Sequence, residues 1–404
     1  MSDLRKVESA DVHKGDLITG TLKRSGAEIA FKYSEKYLAD GAIALAISLP
    51  LKSEAVVTVG GAIPPYFAGL LPEGRRLTAL RQRLKTSLDD ELTLVLAIGA
   101  DPIGDVRIIP TDHQPVIPEP TFYWQQGAAF DFREVLESSN ISERRGIAGL
   151  QDKTSAAMIT LPAKSSGRDA IVKLSPPEYP FLVENETWFL GLAHRTGLSV
   201  PKFRVITDSF GINGLLVERF DRDYAGVQVV RHAVEDGTQV LGIYPADKYR
   251  VSAELVSQAL ISQCASRKFA ALQIFQYFLF AWLTGNGDMH AKNLSILEAS
   301  SSGREREWRI SPFYDVPSTL PYGDTSLALD LSGRNQDLSF KSFLQFADSI
   351  ELPEAAASRC INEMLLGTES VVHLFEANEE PFTKSRNSES RQQITHRRRL
   401  LQAS

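Results

Sequence analysis

The chain has 404 residues and a mass of 44.6 kDa, more than one compact core of ordinary size accommodates, so two or three packed units are expected. It is 43% hydrophobic and 23% charged, with 27 Gly and 20 Pro, a composition that excludes disordered and fibrous classes. The net charge of −6, from 50 acidic and 44 basic residues, gives no global electrostatic reason to bind nucleic acid.

In chain order, Met1 to Lys14 mixes charged residues with no apolar centre, which predicts no secretory signal and a cytoplasmic protein. Short β-type segments then alternate with turns: Asp16 to Lys23, Glu28 to Tyr33 and Ile43 to Pro50, with Gly60 and Gly61 as punctuation. They predict a small β-rich domain over residues 1–110. The nearest approach to a membrane span, Ala42 to Leu51, contains Ser48 and Pro50 and falls short of the roughly 18 residues required, so no membrane is involved. Helical character follows at Leu71 to Leu84 and at Asp89 to Ile98, the latter opening on acidic residues as a helix dipole prefers. Asp101 to Pro120 carries Pro102, Pro110, Pro115, Pro118 and Pro120 and reads as a connector, with a domain boundary near it.

Between Ile147 and Val217 the apolar runs are strand-like: Ser155 to Leu161, Ala170 to Leu174, Phe203 to Thr207 and Gly214 to Glu218. A helix over Val183 to Thr196 interrupts them, the pattern of a sheet with one helix on its face, within a unit over residues 120–240. After Ser252 the periodicity is helical, most clearly Lys268 to Leu283, where Phe269, Leu272, Phe275, Phe278, Leu279 and Trp282 recur at helical spacing. Residues 241–404 therefore form a mainly α unit, and the fold class is α+β. Cys264 and Cys360 stand apart and outside any metal-ligand spacing, so neither a disulfide framework nor a zinc cluster is expected. From Pro381 to Ser404, Lys384, Arg386, Arg391, Arg397, Arg398 and Arg399 oppose Glu389 alone, a basic tail on an acidic body. A solvated helix end is the plainer reading of that tail, and phosphate contact the sharper one.

The most informative stretch is Gly285, Asn286, Gly287, Asp288, Met289, His290, Ala291, Lys292, Asn293, Leu294, a polar loop between an apolar helix and the apolar segment Leu294 to Leu297. Burying Asp288 and Asn293 there is costly unless they have a task. Phosphoryl transfer needs one carboxylate near the acceptor hydroxyl and a further oxygen on magnesium, and Asp288 with Asn293 supplies both. A second carboxylate arrives twenty-two residues later as Asp315, flanked by Phe313, Tyr314 and Val316. Singly, Asp288 could cap a helix, His290 could be a packed histidine and Asp315 a turn residue. A metal hydrolase using Asp288, His290 and Asp315 is the rival, weakened because no second histidine stands near His290 in a chain with seven.

A kinase also needs a phosphate loop, a lysine and an adenine site. Arg145 to Lys153 gives two glycines, Gly146 and Gly149, before the first strand of that unit, though it is no Walker loop. Lys173 is the one cation of the β-run Ala170 to Leu174, as a phosphate-binding lysine is, with an edge-strand lysine as the bland alternative. Leu216 to Asp221 passes from a buried strand into a polar turn where backbone groups could bind adenine.

These residues resemble the HipA toxins, serine/threonine kinases of bacterial toxin–antitoxin modules. The resemblance covers nearly the whole chain: Phe67 to Gly74, the Ala148 to Lys153 loop, Glu184, Asn185 and Glu186, the Val217 to Arg222 hinge, Gly285 to Asn293, and Phe313 to Ser318. It implies a kinase-like fold of two lobes after the β-rich domain, with ATP and Mg2+ as cofactors. It implies Asp288 as catalytic base and Asn293 and Asp315 as metal ligands. Nucleotide contacts follow from Lys173, from Glu218, Arg219 and Phe220, from His290, Lys292 and Tyr314, and from Ala148, Gly149, Leu150, Gln151, Asp152 and Lys153. A HipB-like helix-turn-helix antitoxin bound to operator DNA is the implied partner, and an aminoacyl-tRNA synthetase the implied kind of target. Many members carry a serine before the phosphate loop whose autophosphorylation silences the kinase; Gly146 stands there in this chain, leaving Ser142, Thr154 and Ser155 as candidates. A small-molecule kinase and a catalytically idle co-repressor remain open alternatives.

Overall fold

The computed structural model describes residues 3–40, 43–114, 119–138, 158–226, 228–302, 305–375 and 384–402. The first unit comprises β1 (Ser9–Lys14), β2 (Leu17–Ser25), β3 (Glu28–Tyr33), α1 (Glu35–Ala39), β4 (Val56–Thr58), α2 (Pro65–Gly69), α3 (Gly74–Leu84), α4 (Glu91–Ile98) and β5 (Val106–Pro110). Its five strands lie in the order β4-β3-β2-β1-β5, all neighbours antiparallel. Alternation along β3 sends Ile29, Phe31 and Tyr33 to one face. There they meet Phe67, Leu92 and Val95 from the helices in a separate hydrophobic core.

Two sequence expectations change in this unit. Asp101 to Pro120, read as a connector, contains β5, which pairs with β1 from Lys14↔Val106 to Ala10↔Pro110. Pro102 precedes the strand, Pro110 ends it and the others follow it in sequence, and β5 is an edge strand, where proline's missing N–H costs no ladder bond. Ile43 to Pro50, read as β-type, holds only an isolated bridge between Ala46 and Leu49. Its apolar residues instead plug the core, with Leu45, Ala46 and Leu49 buried and the Leu45 N–H donating to the Tyr33 hydroxyl at 2.8 Å.

The second unit follows with β6 (Phe122–Trp124), α5 (Phe132–Ser138), β7 (Ile159–Ser165), β8 (Arg168–Leu174), α6 (Leu182–Arg195), β9 (Phe203–Thr207) and β10 (Asn213–Glu218). Its five-stranded sheet runs β6-β7-β8-β10-β9, antiparallel except for β6 beside β7. Ser166 and Gly167, with φ of 50° and 82°, form the two-residue turn between β7 and β8, the positive-φ pair a tight hairpin requires. The helix and three of the expected strands lie where the pattern put them, while β7 starts at Ile159, later than the expected Ser155.

The third unit begins with the hairpin β11 (Arg222–Ala225) and β12 (Gln228–Arg231), then β13 (Val234–Asp236), α7 (Gly237–Leu241), α8 (Ala253–Gln263), α9 (Arg267–Thr284), β14 (Ser295–Ser302) and β15 (Glu305–Ile310). It ends with α10 (Phe340–Ser349), α11 (Glu354–Gly367), α12 (Ser370–Leu374) and α13 (Lys384–Gln402). α9 is the buried axis of the largest core: Phe275, Tyr277, Phe278, Phe280 and Trp282 are all at most 2% exposed, while Phe269 in its first turn stays 59% exposed. Gly285, at φ 74°, ends α9 with its N–H on the Ala281 and Trp282 carbonyls and turns the chain into the polar loop. The α+β architecture of a β-rich unit followed by two lobes is thus present. Both cysteines are free and buried, and among the described residues no helix is long and apolar enough to cross a membrane.

The basic tail forms α13, on which Arg386, Arg391 and Arg399 are exposed as a solvated helix end would have them, but two of its cations depart from that reading. Arg397 is 1% exposed, forks between the Trp282 and Thr325 carbonyls at 2.9 and 2.6 Å, and stacks on the Trp282 ring. Arg398 donates to Thr368 and Leu365. These two cations pack against the protein instead of facing solvent or phosphate, because α13 closes over the end of α9.

Candidate active site

The polar loop after α9 is tied to itself and to the segment after β15. Asn286 is fully buried; its Oδ1 accepts the Asp288 N–H at 3.0 Å and its Nδ2 donates to the Asp315 carbonyl at 3.1 Å. The Asn293 amide donates to the Asp288 carbonyl at 3.2 Å, and the His290 carbonyl accepts the Asn293 N–H at 2.9 Å. Gly287 donates its N–H to the Thr319 hydroxyl at 2.9 Å, and a Cβ there would lie 2.5 Å from the Ser326 carbonyl, so only glycine fits. Asp288 is 0% exposed, and its Oδ1 accepts the Tyr249 hydroxyl at 2.9 Å.

Lys173, on β8, joins the two lobes. Its ammonium donates to Glu186 Oε1 of α6 at 2.7 Å and to the Asp315 carboxylate. Burial draws the Lys173 pKa down, but the neighbouring Asp315 and Glu186 charges outweigh it and hold the group above the usual lysine value. Burial pushes the Glu186 carboxyl up against the opposing pull of Lys173. Asp315 sits at φ 53°, an uncommon left-handed conformation for a non-glycine residue and one found at functional sites. Asn185, the residue before Glu186, clamps the same segment by exchanging two hydrogen bonds with the Ser318 backbone, at 2.8 and 2.9 Å. One turn of α6 therefore grips both the lysine and the loop that carries Asp315.

Of the expected nucleotide contacts, Phe220 and Tyr314 stack with ring centroids 5.7 Å apart. The Tyr314 hydroxyl donates to the Lys292 carbonyl at 2.8 Å. Glu218 ends β10 with its N–H on the Lys202 carbonyl, and the Arg219 N–H donates to the Asp169 carbonyl. The Arg219 guanidinium is held by Asp221 and Asp101. The Lys292 ammonium meets Asp236 Oδ2 at 2.7 Å and the Gly69 carbonyl at 2.8 Å, so it faces the first unit. The His290 ring packs edge-on against Tyr249, centroids 5.0 Å apart. Ala148, Gly149, Leu150, Gln151, Asp152 and Lys153 lie outside the described residues, as do Gly146, Ser142, Thr154 and Ser155.

The hydrolase alternative finds no support: among the described residues no three His, Cys, Asp or Glu side chains gather to hold a metal, and Asp288, His290 and Asp315 form no such group. The carboxylate of Asp315 and the side-chain oxygen of Asn293, whose Nδ2 is already committed to Asp288, are the hard oxygen donors that magnesium prefers. Sequence reasoning gave no role to Glu186, Asp236 or Tyr249. Glu186 stood in a quoted motif without a task. Tyr249 is thirty-nine residues from Asp288, and nothing in its local sequence points there.

The first unit closes over this site. The Gly69 carbonyl holds Lys292, Gln239 donates to the Tyr66 carbonyl at 2.9 Å, and Lys248 pairs with Glu73 at 2.8 Å. A Cβ on Gly69 would lie 2.5 Å from the Gln239 side chain, which accounts for that glycine. Asp101 of the first unit accepts from Arg219, just past the end of β10, and from Arg222 and Arg231 of the β11–β12 hairpin, while Asp221 accepts the Gly104 N–H at 2.7 Å.

Comparison with known proteins follows the same division. Residues 10–109 match the family described as HipA N-terminal domain, and residues 145–372 match the HipA-like C-terminal domain. The chain is 28% identical over 355 residues to the putative kinase Y4dM of Sinorhizobium fredii, covering 81% of each. It is 27% identical over 382 residues to the serine/threonine-protein kinase toxin HipA of Shewanella oneidensis, covering 86% of this chain and 84% of the relative. Among solved structures, the Shewanella oneidensis MR-1 complex of HipA, HipB and operator DNA has a similar fold, with a TM-score of 0.75 at 21% identity over 98% of this chain and 97% of the other.

Proposed function

The chain belongs to the HipA family, and from that premise we propose that it is the toxin of a type II toxin–antitoxin module, an ATP- and magnesium-dependent serine/threonine protein kinase of the cytoplasm. The observation that carries this reading is the bridge Glu186–Lys173–Asp315, with Asn286 tying Asp315 to the loop that presents Asp288. That bridge joins the two lobes at one point and aligns a lysine, a candidate metal carboxylate and a candidate base. Bound ATP with magnesium would supply the phosphoryl group and part of the charge neutralisation. Lys173 would contact the phosphates, Asn293 and Asp315 would hold the metal, and Asp288 would orient the acceptor hydroxyl and take its proton. The stacked pair of Phe220 and Tyr314 would pack against the adenine, with the backbone of Glu218 to Phe220 at its edge.

The named relatives support the partners. The similar solved complex contains HipB and operator DNA, and a HipB-like helix-turn-helix antitoxin is proposed to restrain this chain and carry it to DNA. The substrate is proposed to be a protein of the translation machinery such as an aminoacyl-tRNA synthetase. Incubation with labelled ATP, magnesium and a cell lysate tests the class: label on one protein supports it, and label on small molecules alone overturns it. Asp288→Gln should bind ATP as the wild type does and lose transfer and cellular toxicity. Near-native transfer by this variant would remove Asp288 from the base role.

A further inference from the structure

A buried carboxylate that acts as a base must be held in one plane, because the terminal torsion of an aspartate is broad and an unfixed carboxylate points productively only part of the time. Asp288 is fully buried, and a segment distant in sequence reaches it. After α7 the chain passes Pro245 to Asp247 and delivers Lys248 and Tyr249 against the loop. The Lys248 carbonyl accepts the Ala291 N–H at 3.3 Å, and the Tyr249 hydroxyl donates to Asp288 Oδ1 at 2.9 Å. The Tyr249 ring lies edge-on to His290 at 77°. The Lys248 ammonium sits 5.1 Å from the Tyr249 centroid and 2.8 Å from Glu73 Oε1 of the first unit.

We propose that Tyr249 is a positioning residue for the candidate base, fixing the Asp288 carboxylate through its hydroxyl, and that Glu73 braces it from the N-terminal unit through Lys248. This rests on the kinase reading of Asp288 and deepens it. Burial, followed by the nearby Asp288 charge, pushes the Tyr249 phenol well above its usual range, so it stays a donor throughout the pH range of the cell. The consequence is that the signature segment around Gly74 acts on the chemistry at two residues' remove, without touching nucleotide.

The test measures label transfer to the lysate acceptor as a function of ATP concentration for wild type, Tyr249→Phe, Glu73→Gln and Asp288→Gln, with ATP binding and thermal melting measured in parallel. Tyr249→Phe removes only the hydroxyl and should lower the maximal rate by about ten- to a hundredfold, the size expected for a lost hydrogen bond to a charged group, with half-saturating ATP unchanged. Glu73→Gln should lower the maximal rate less, again without moving ATP binding. An unchanged maximal rate in folded Tyr249→Phe, beside an inactive Asp288→Gln, would overturn the proposal and leave the kinase reading intact. Transfer by Asp288→Gln would instead sink the reading beneath it. If Tyr249→Phe fails to fold, Glu73→Gln must still separate rate from ATP affinity, and equal changes in both would overturn the proposal.

Discussion

Asp315 carries two constraints at once, a charge that meets Lys173 and a backbone at φ 53°. Asn adopts the left-handed region as readily as Asp, so Asp315→Asn removes the charge while leaving the backbone at ease. We expect nucleotide binding by this variant to weaken when magnesium is present and to change little when magnesium is absent, as measured by titration calorimetry in both conditions. Equal loss in both would make Asp315 a purely structural partner of Lys173. At this scale both were legible in sequence as candidates, Lys173 as the lone charge of an apolar β-run and Asp315 as a carboxylate flanked by Phe313, Tyr314 and Val316. Glu186 and Tyr249 were not legible in the same way. Each gains its meaning from a partner brought near by packing, and neither spacing nor hydropathy records that partner.

Among the elements, α13 shows how a basic tail differs from a basic surface. Burial lowers the Arg397 pKa to about 10, and its guanidinium lies over Trp282, two residues before the end of α9. It supplies a second donor to the Trp282 carbonyl, which also takes the Gly285 N–H, in the last turn of α9, where the dipole is negative. Arg397→Met should leave the Trp282 and Thr325 carbonyls short of that donor and lower the unfolding free energy by about 2 kcal/mol in a denaturant titration. Arg397→Lys, which offers no planar fork, should recover part of it. Arg399 is exposed, and Arg399→Met should change stability by no more than about 0.5 kcal/mol. Equal effects at both positions would mean that the tail contributes only its charge.

For the molecule as a whole, the first unit is joined to the lobes by buried polar contacts. Glu235 of β13 is 1% exposed and accepts the Ile47 N–H with both carboxylate oxygens at 3.1 Å. Burial pushes its carboxyl up to about 8 from an ordinary 4.5, against the opposing pull of the Ile47 N–H, Arg306 and Lys14. Because the folded value lies above the unfolded one, the native state holds the proton longer. The associated stability is fully present below pH 4.5 and is lost as pH rises towards about 8. The wild-type unfolding free energy minus that of Glu235→Gln should fall across this window, with a slope approaching about 1.4 kcal/mol per pH unit. Parallel curves would show that Glu235 ionises as freely as an exposed glutamate.

The sequence by itself determined the α+β class, the helical second half, the apolar axis around Trp282 and the loop from Gly285 to Asn293, because local propensity and hydrophobic period act over a few residues. Family resemblance extended that reading to an ordered set of site residues. Only tertiary structure decided that the proline-marked segment contributes β5, that Ile43 to Pro50 is a plug and not a strand, and that Arg397 faces inward. It alone assigned Glu186 to Lys173, Lys292 to Asp236 and Gly69, and Tyr249 to Asp288. The physical reason is common to all of these: strand pairing, burial of a charge and the partner of a hydrogen bond depend on groups tens to hundreds of residues away, whose approach is settled by packing the units together.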